Sequence, residues 1–90
     1  MSPSDDAEKR LKVEVLSLGS GGLILENISA LQVLLADGSW LGVHPGHAPL
    51  VTATADGELR YRQDGEEITV LVRSGILTLK DDLVSILTTH

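Results

Sequence analysis

Residues 42–50 of the chain read Gly42-Val43-His44-Pro45-Gly46-His47-Ala48-Pro49-Leu50. Each proline fixes its own φ at about −65° and drives the preceding residue toward extended backbone, so this stretch cannot form a helix. Gly46 can adopt the positive φ that a type II turn requires after Pro45. The stretch predicts a stiff corner between two strands, with Gly42, Pro45, Gly46 and Pro49 as its structural residues.

Length and composition point to one small domain. A chain of 90 residues buries about 60–65% of its unfolded surface. Hydrophobic residues make up 42% but aromatic residues only 2%, with no Phe, so the predicted core consists of Leu, Val and Ile. The net charge of −6 argues against nucleic-acid binding, which requires a Lys/Arg surface for the phosphates. The absence of Cys excludes disulfides, thiolate metal sites and cysteine nucleophiles.

The N-terminal part of the chain passes from a polar tail into a strand. Residues 1–10 are small or charged, so we expect a disordered tail followed by a single domain at residues 11–90. Across residues 11–15, apolar and charged residues alternate with the period of a half-buried strand. Leu16 and Leu18 then change parity, which indicates a bulge or the end of the strand. With no leader sequence and no membrane-spanning apolar run, the chain is expected to be soluble and cytoplasmic.

The second half of the chain has the pattern of short strands separated by turns. Residues 50–55 and 58–63 have strand composition, and Asp56-Gly57 between them predicts a tight turn. Leu59 and Tyr61 are expected on one face of the second of these strands, with the intervening arginines on the other.

Further turn signals complete this pattern. Asp37-Gly38 and Asp64-Gly65 are hairpin signals, the latter for a type I′ turn, and residues 80–82 predict another turn. Strands between turns at intervals of about eight to twelve residues are typical of small antiparallel sandwiches. The sequence therefore predicts an all-β fold, a small antiparallel β-sandwich of about eight to ten short strands.

Residues 23–35 are ambiguous by pattern. Their apolar residues alternate as in a strand from Leu31 onward, whereas Ile28, Leu31 and Leu35 also fall at helical spacing behind Asn27, a residue type that caps helices. Pattern alone leaves both structures open.

The chain offers no convincing active site. His44 and His47 could supply two metal ligands, but a third is lacking. Neighbouring carboxylates fall in the tail or in turns, where they are expected to be exposed and lack the burial that an acid for proton transfer needs, and no serine lies in a G-x-S-x-G motif. The glycine-rich residues 19–22 resemble a phosphate loop, but no Lys or Arg follows before Arg60. We expect no catalytic residue, no metal and no cofactor.

Trp40, the single tryptophan, leaves two interpretations open. Its large amphipathic ring either fills the core of a protein without Phe or forms part of a contact surface.

Two motifs carry a resemblance to a known family. Residues 42–53, Gly-Val-His-Pro-Gly-His-Ala-Pro-Leu-Val-Thr-Ala, closely resemble a segment in the N-terminal β-sandwich domain of the F-type ATP synthase epsilon subunit. Residues 72–79 and 83–87 are similar to the V-x-(S/G)-G-x-L-x-V, turn, x-V-x-V-L ending of that domain. The resemblance covers residues 11–88 and favours two short strands with a kink near Glu26-Asn27 over a helix.

The resemblance implies a mechanical, non-catalytic role. In this family the sandwich lies at the foot of the central stalk and fastens the gamma subunit to the c-ring, coupling ion-driven rotation to ATP synthesis. The resemblance implies that the chain is cytoplasmic and peripheral on the inner face of the plasma membrane as part of the complex, so its own contact with the membrane would be indirect. The loop expected to face the c-ring consists of Asp37, Gly38, Ser39 and Trp40. The residues expected to lie toward gamma are His47 and Thr52.

The chain also departs from the family. Typical bacterial members continue into a two-helix C-terminal domain that binds ATP and inhibits hydrolysis, whereas this sequence stops at His90. We therefore expect coupling without self-inhibition. His44, where the family has an apolar or aromatic residue, and the long glycine loop suggest a divergent branch. The alternative function is a free-standing β-sandwich module that binds other proteins.

Overall fold

The computed structural model describes residues 9–17, 19 and 21–88, and these residues form seven strands and no helix. The strands are β1 (Leu11–Ser17), β2 (Leu23–Leu35), β3 (Trp40–Val43), β4 (Leu50–Gln63), β5 (Glu66–Val72), β6 (Gly75–Lys80) and β7 (Leu83–Thr88). The predicted tail falls mostly outside the described residues, of which only Lys9 and Arg10 belong to it; both are exposed.

The strands form two layers that share their two longest members. The order is β3-β2-β1-β7-β6-β4-β5, and an additional pairing joins β2 to β4. The first part of β2 pairs with β1, and the first part of β4 pairs with β6, so these parts and β7 make a first sheet. The later parts of β2 and β4 pair with each other, with β3 and β5 outside them, and make a second sheet. The predicted sandwich is confirmed.

The number of strands differs from the prediction because β2 and β4 are continuous through their bends. β2 contains the predicted kink, where Asn27 has a φ of 61°. The tight turn predicted at Asp56-Gly57 is wrong, since β4 runs through these residues and changes partner from β6 to β5. The Asp56 carboxylate instead accepts a hydrogen bond of 2.6 Å from the backbone N–H of Ser74, which holds the bend against the loop before β6.

One strand pair also departs from the antiparallel prediction. β1 and β7 are parallel, with Val13 opposite Val84 and Val15 opposite Ile86. Parallel neighbours need a long connection, and here almost the whole chain lies between the first and last strands. Turn chemistry cannot reveal such a pairing, because no hairpin joins the two strands.

The hairpin turns follow the sequence signals. Asp64 and Gly65 both have positive φ values, 52° and 80°, as a type I′ turn requires. Asp81 and Asp82 have φ values of 52° and 63° in the turn between β6 and β7. These turns set the registers that bring alternate residues of each strand to the core.

The core lies between the sheets and consists almost entirely of aliphatic side chains. Leu59 and Tyr61 lie on one face of β4, as predicted, and both are buried. The buried set comprises Leu11, Val13, Ile28, Leu31, Val33, Val43, Leu59, Tyr61, Leu77, Leu79, Val84 and Ile86. The buried hydroxyl of Thr54 is satisfied, since it donates to the Gly75 carbonyl and accepts from the Gly75 N–H.

Candidate functional site

The proline corner has the predicted type II turn. Gly46 has a φ of 88°, and the His47 N–H donates to the His44 carbonyl at 3.2 Å. The corner is also tied to the turn between β6 and β7, because the Gly46 N–H donates to the Asp82 carboxylate at 2.8 Å. The Asp82 carbonyl accepts in turn from the Lys12 N–H at 3.0 Å. One residue therefore connects the corner, the β6–β7 turn and β1.

We expect Asp82→Ala to lower the free energy of unfolding by about 1 kcal/mol relative to Asp81→Ala, because only Asp82 accepts from the corner. Both positions have positive φ values, so the cost of placing alanine there is common to both variants. Urea denaturation of the two variants measures the difference. Equal stabilities would show that the bond to Gly46 contributes nothing.

The conformation of the corner does not require a glycine at position 42. It lies within β3, its φ is not in the left-handed region, and a Cβ built on it would meet no atom within 4 Å. The prediction that Gly42 is a structural corner residue is therefore wrong. Its missing side chain instead opens a shallow recess beside Ala30 and Gln32 on the outer surface of the second sheet.

The histidines do not assemble a metal site. His44 is exposed, and the half-buried His47 donates from Nδ1 to its neighbouring Ala48 carbonyl at 2.8 Å. Across the described ranges, no group of three or more His, Cys, Asp or Glu side chains is placed to hold a metal ion. The glycine-rich segment leads into β2 rather than into a helix, so it lacks the helix terminus of a phosphate loop.

The turn between β2 and β3 is closed by its own side chains. The Asp37 carboxylate accepts from the Ser39 hydroxyl at 2.6 Å and from the Ser39 N–H at 2.9 Å. These two bonds hold the pKa of the Asp37 carboxyl below its ordinary value, and the stability they give is present above that value and is lost as the pH falls through the lowered pKa. Gly38 has a φ of 91°, and its N–H donates to the Leu35 carbonyl. The turn is thus a fixed, exposed, anionic feature.

Trp40 begins β3 directly after this turn and does not fill the core. Its side chain is 46% exposed on the outer surface of the second sheet, so the interpretation as a core plug is wrong. The Arg60 guanidinium lies over the ring, 4.8 Å from its centre, and also donates twice to the Glu58 carboxylate. The ring is therefore held in place while one side of it remains available for contact.

The structure separates the two groups of predicted site residues. The turn at Asp37 is tied to the far end of the first part of β4, since the Ala36 N–H donates to the Ala53 carbonyl. His47 lies at the other end, before β4 begins. Thr52 lies between them, half-buried opposite the core residue Leu77, so its side chain is on the inner face of the first sheet.

A row of aliphatic side chains crosses the outer surface of the first sheet. The strand registers align Leu16, Leu87, Ile76 and Ala53 side by side on β1, β7, β6 and β4. Leu16, Leu87 and Ile76 are 41%, 46% and 47% exposed. Large aliphatic side chains aligned in this way on an outer surface are typical of interaction sites.

The next row has apolar ends and a polar middle. Ile24 and Val51 are 59% and 71% exposed at its two ends. Between them, the Ser85 hydroxyl donates to the Glu14 carboxylate at 3.1 Å. We call the apolar residues of both rows the outer apolar face: Leu16, Ile24, Val51, Ala53, Ile76 and Leu87.

Sequence reasoning missed the outer apolar face. The sequence did contain a signal for this face. In β1, β6 and β7 the core-facing residues are apolar, yet Leu16, Ile76 and Leu87 place large apolar side chains at the alternate, solvent-facing positions as well. Only the registers show that they form one row.

Comparisons with known proteins agree on one family. The family model for the ATP synthase delta/epsilon chain β-sandwich domain matches residues 10–90. The ATP synthase epsilon chain of Thermodesulfovibrio yellowstonii is 34% identical over 80 residues, covering 89% of this chain and 56% of the relative. That of Acidithiobacillus ferridurans is 31% identical over 77 residues, covering 86% and 55%. The chain thus spans about half the length of these curated relatives.

Solved structures support the fold. A chain of the Euglena gracilis mitochondrial ATP synthase superimposes with a TM-score of 0.77 at 19% identity, over 91% of this chain and 52% of that one. A chain of the Tetrahymena thermophila mitochondrial ATP synthase central stalk and c-ring gives 0.70 at 12% identity, over 91% and 65%. Together with the family model, these matches establish that the chain belongs to the ATP synthase delta/epsilon family and forms its β-sandwich domain.

Proposed function

We propose that this chain is a non-catalytic rotor subunit of an F-type ATP synthase that fastens the gamma subunit to the c-ring. Membership in the epsilon family supports the assignment, and the outer apolar face is the observation that carries the docking role. Exposed aliphatic side chains aligned across several strands are suited to a permanent partner rather than to solvent.

Gamma is the proposed partner of the outer apolar face. The face lies on five neighbouring strands, β2, β1, β7, β6 and β4, whose backbone hydrogen bonds hold it as one rigid surface. His47 lies in the corner that leads into β4, and we assign it to the margin of the contact with gamma. Thr52 acts differently from the motif-based expectation: its half-buried side chain supports β4 from within, while the adjacent Val51 makes the contact.

The c-ring is the proposed partner of the turn formed by Asp37, Gly38, Ser39 and Trp40. The turn is rigid because the Asp37 carboxylate and Ser39 close it, and the Arg60 guanidinium orients the Trp40 ring. This combination of an anionic turn and an amphipathic ring is suited to polar loops of a partner protein.

Transmission of torque requires a body that does not deform between its two contacts. Here the sandwich is braced by β2 and β4, which belong to both sheets, and by the Asp82 carboxylate between the corner and the β6–β7 turn. The chain itself makes or breaks no bond in this role.

Within residues 9–17, 19 and 21–88, the structure contains no helix that could span a membrane. The proposed location is the cytoplasmic, inner face of the plasma membrane, with contact only through the complex.

We expect Trp40→Ala to weaken association with an isolated c-ring about tenfold, because an exposed aromatic anchor of an interface contributes roughly 1–2 kcal/mol. The matched control is Trp40→Phe, which keeps an aromatic ring beneath Arg60 and should retain most of the affinity. Surface plasmon resonance on an immobilised ring measures both variants. Unchanged binding by Trp40→Ala would remove Trp40 from the interface.

The proposed function is tested by coupling. Membrane vesicles carrying an ATP synthase from which the epsilon subunit has been removed should regain ATP-driven ion pumping when this chain is added. The expected result is restored pumping at an unchanged level of ATP hydrolysis per catalytic head. Hydrolysis without pumping, despite stoichiometric incorporation of the chain, would contradict the proposal.

A further inference from the structure

β5 is an edge strand with an open side. It pairs with β4 along its whole length, from Gln63 opposite Glu66 to Gly57 opposite Val72. In the part of the chain that the structure describes, no second strand lies beside it. Its outer edge therefore presents backbone N–H and C=O groups to solvent, which is a template for pairing with another strand.

Two other free edges carry features that discourage such pairing, whereas β5 does not. β3 is only four residues long and is followed closely by Pro45 and Pro49. The open side of the first part of β2 ends at the positive-φ residue Asn27. β5 has seven residues, no proline and no bulge, and its Leu71 is 82% exposed. Short edges, prolines and irregular backbone are the usual protections against edge pairing.

The sequence of β5 and the residue after it is complementary to itself. Glu67 near the start of β5 lies on the outer side of the sheet together with Thr69 and Leu71. The exposed Arg73, just past the end of β5, has the same parity and would fall on that side once pairing extends the strand by one residue. A two-fold axis through Val70 would form two equivalent pairs, in which Glu67 of each copy lies opposite Arg73 of the other. The same register sets Thr69 opposite Leu71 and Ile68 opposite Val72, so each apolar residue gains a cross-strand neighbour.

Neighbouring registers lack this complementarity. A two-fold axis through Thr69 would place Glu67 opposite Leu71 and Glu66 opposite Val72. An axis through Leu71 would leave Glu67 opposite Gly75 and shorten the paired segment. The charges therefore select the axis through Val70. The existing pair between Glu67 and Arg62 spans 3.7 Å between exposed side chains, so it competes only weakly.

From this edge and its charges, we propose that β5 is a self-association surface on which a second copy of this chain adds antiparallel, with the two-fold axis at Val70. The pairing joins the second sheets of the two copies into one continuous sheet. It uses neither the outer apolar face nor the turn at Asp37, and it does not depend on the proposed rotor role.

The charge pairs give a direct test by sedimentation velocity over a concentration series. We expect a monomer–dimer equilibrium for the unchanged chain. Arg73→Glu turns two attractive pairs across the axis into two like-charge pairs and should raise the dimer dissociation constant about tenfold. The double variant Glu67→Arg with Arg73→Glu restores opposite charges and should recover the original constant. Both positions are exposed, so folding is expected to be unaffected, which circular dichroism checks.

Cysteine cross-linking tests the register, since the chain contains no cysteine of its own. Val70→Cys brings two Cβ atoms to directly opposed positions, about 4.5–5.5 Å apart, and should form an intermolecular disulfide on mild oxidation. Thr69→Cys is the matched control and should form little, because its counterpart lies diagonally. A monomer at all concentrations, a dimer unaffected by Arg73→Glu, or equal cross-linking at both positions would overturn the proposal.

Discussion

Replacing Gly75 by alanine should destabilise the sandwich by about 3 kcal/mol or more, because the first residue of β6 has no room for a side chain. A Cβ at this position would overlap the Leu87 carbonyl oxygen and lie 2.8 Å from its carbonyl carbon and 2.9 Å from the Thr88 Cα. These are backbone atoms of β7, which cannot move aside without disturbing the ladder between β6 and β7. Movement of Gly75 itself would break its hydrogen bond with the buried Thr54 hydroxyl.

The matched control for this variant is Gly42→Ala, since a Cβ there meets no atom within 4 Å. We expect its free energy of unfolding to remain within about 0.5 kcal/mol of the unchanged chain. Chemical denaturation followed by circular dichroism compares the two. Similar midpoints for Gly75→Ala and Gly42→Ala would mean that the close approach of β6 and β7 is not a constraint on the fold.

A negative charge in the middle of the outer apolar face should abolish tight binding to gamma without unfolding the chain. Ile76 is 47% exposed and lies in the row between Leu87 and Ala53. Ile76→Glu would require an unpaired carboxylate to be buried in the interface, and we expect roughly a 100-fold rise in the dissociation constant for gamma. Isothermal titration with isolated gamma measures the effect.

The control for this charge is Gln32→Glu, which places a carboxylate on the exposed outer surface of the second sheet. Its affinity for gamma should stay within about twofold of the unchanged chain, since surface substitutions away from an interface have small effects. An equal loss of affinity in both variants would point to net charge rather than to the outer apolar face. Unchanged binding by Ile76→Glu would place gamma elsewhere.

The sequence predicted turns and the faces of single strands well, but it did not predict which distant strands pair. The corner, the Asp64-Gly65 hairpin and the common face of Leu59 and Tyr61 followed from turn residues and alternation, because those properties are decided within a few residues. The parallel pairing of β1 with β7 is a property of the closed sandwich and has no local signal. The tight turn predicted at Asp56-Gly57 is wrong because an Asp-Gly dipeptide occurs both in hairpin turns and, as here, within a strand that passes from one sheet to the other.

The candidate site shows the same division. The sequence does not decide whether Trp40 lies in the core or on the surface. The structure shows that it lies on the outer surface, beneath the Arg60 guanidinium. The outer apolar face required the registers of five strands, since apolar residues on both sides of a strand also fit a strand that is buried on both faces. The motif assigns a structural role to Gly42, whereas the structure shows that Gly75 has no space for a side chain.

The central claim is that this small sandwich holds two other proteins together, and a bridging experiment tests it most directly. An immobilised c-ring is incubated with gamma from which the native epsilon subunit has been removed, with and without this chain, and retained gamma is quantified. We expect the retained gamma to rise with added chain and to saturate at one copy of each protein per ring, and we expect Ile76→Glu to prevent this retention. If the chain does not change the retention of gamma, or binds neither protein, the sandwich does not join the two.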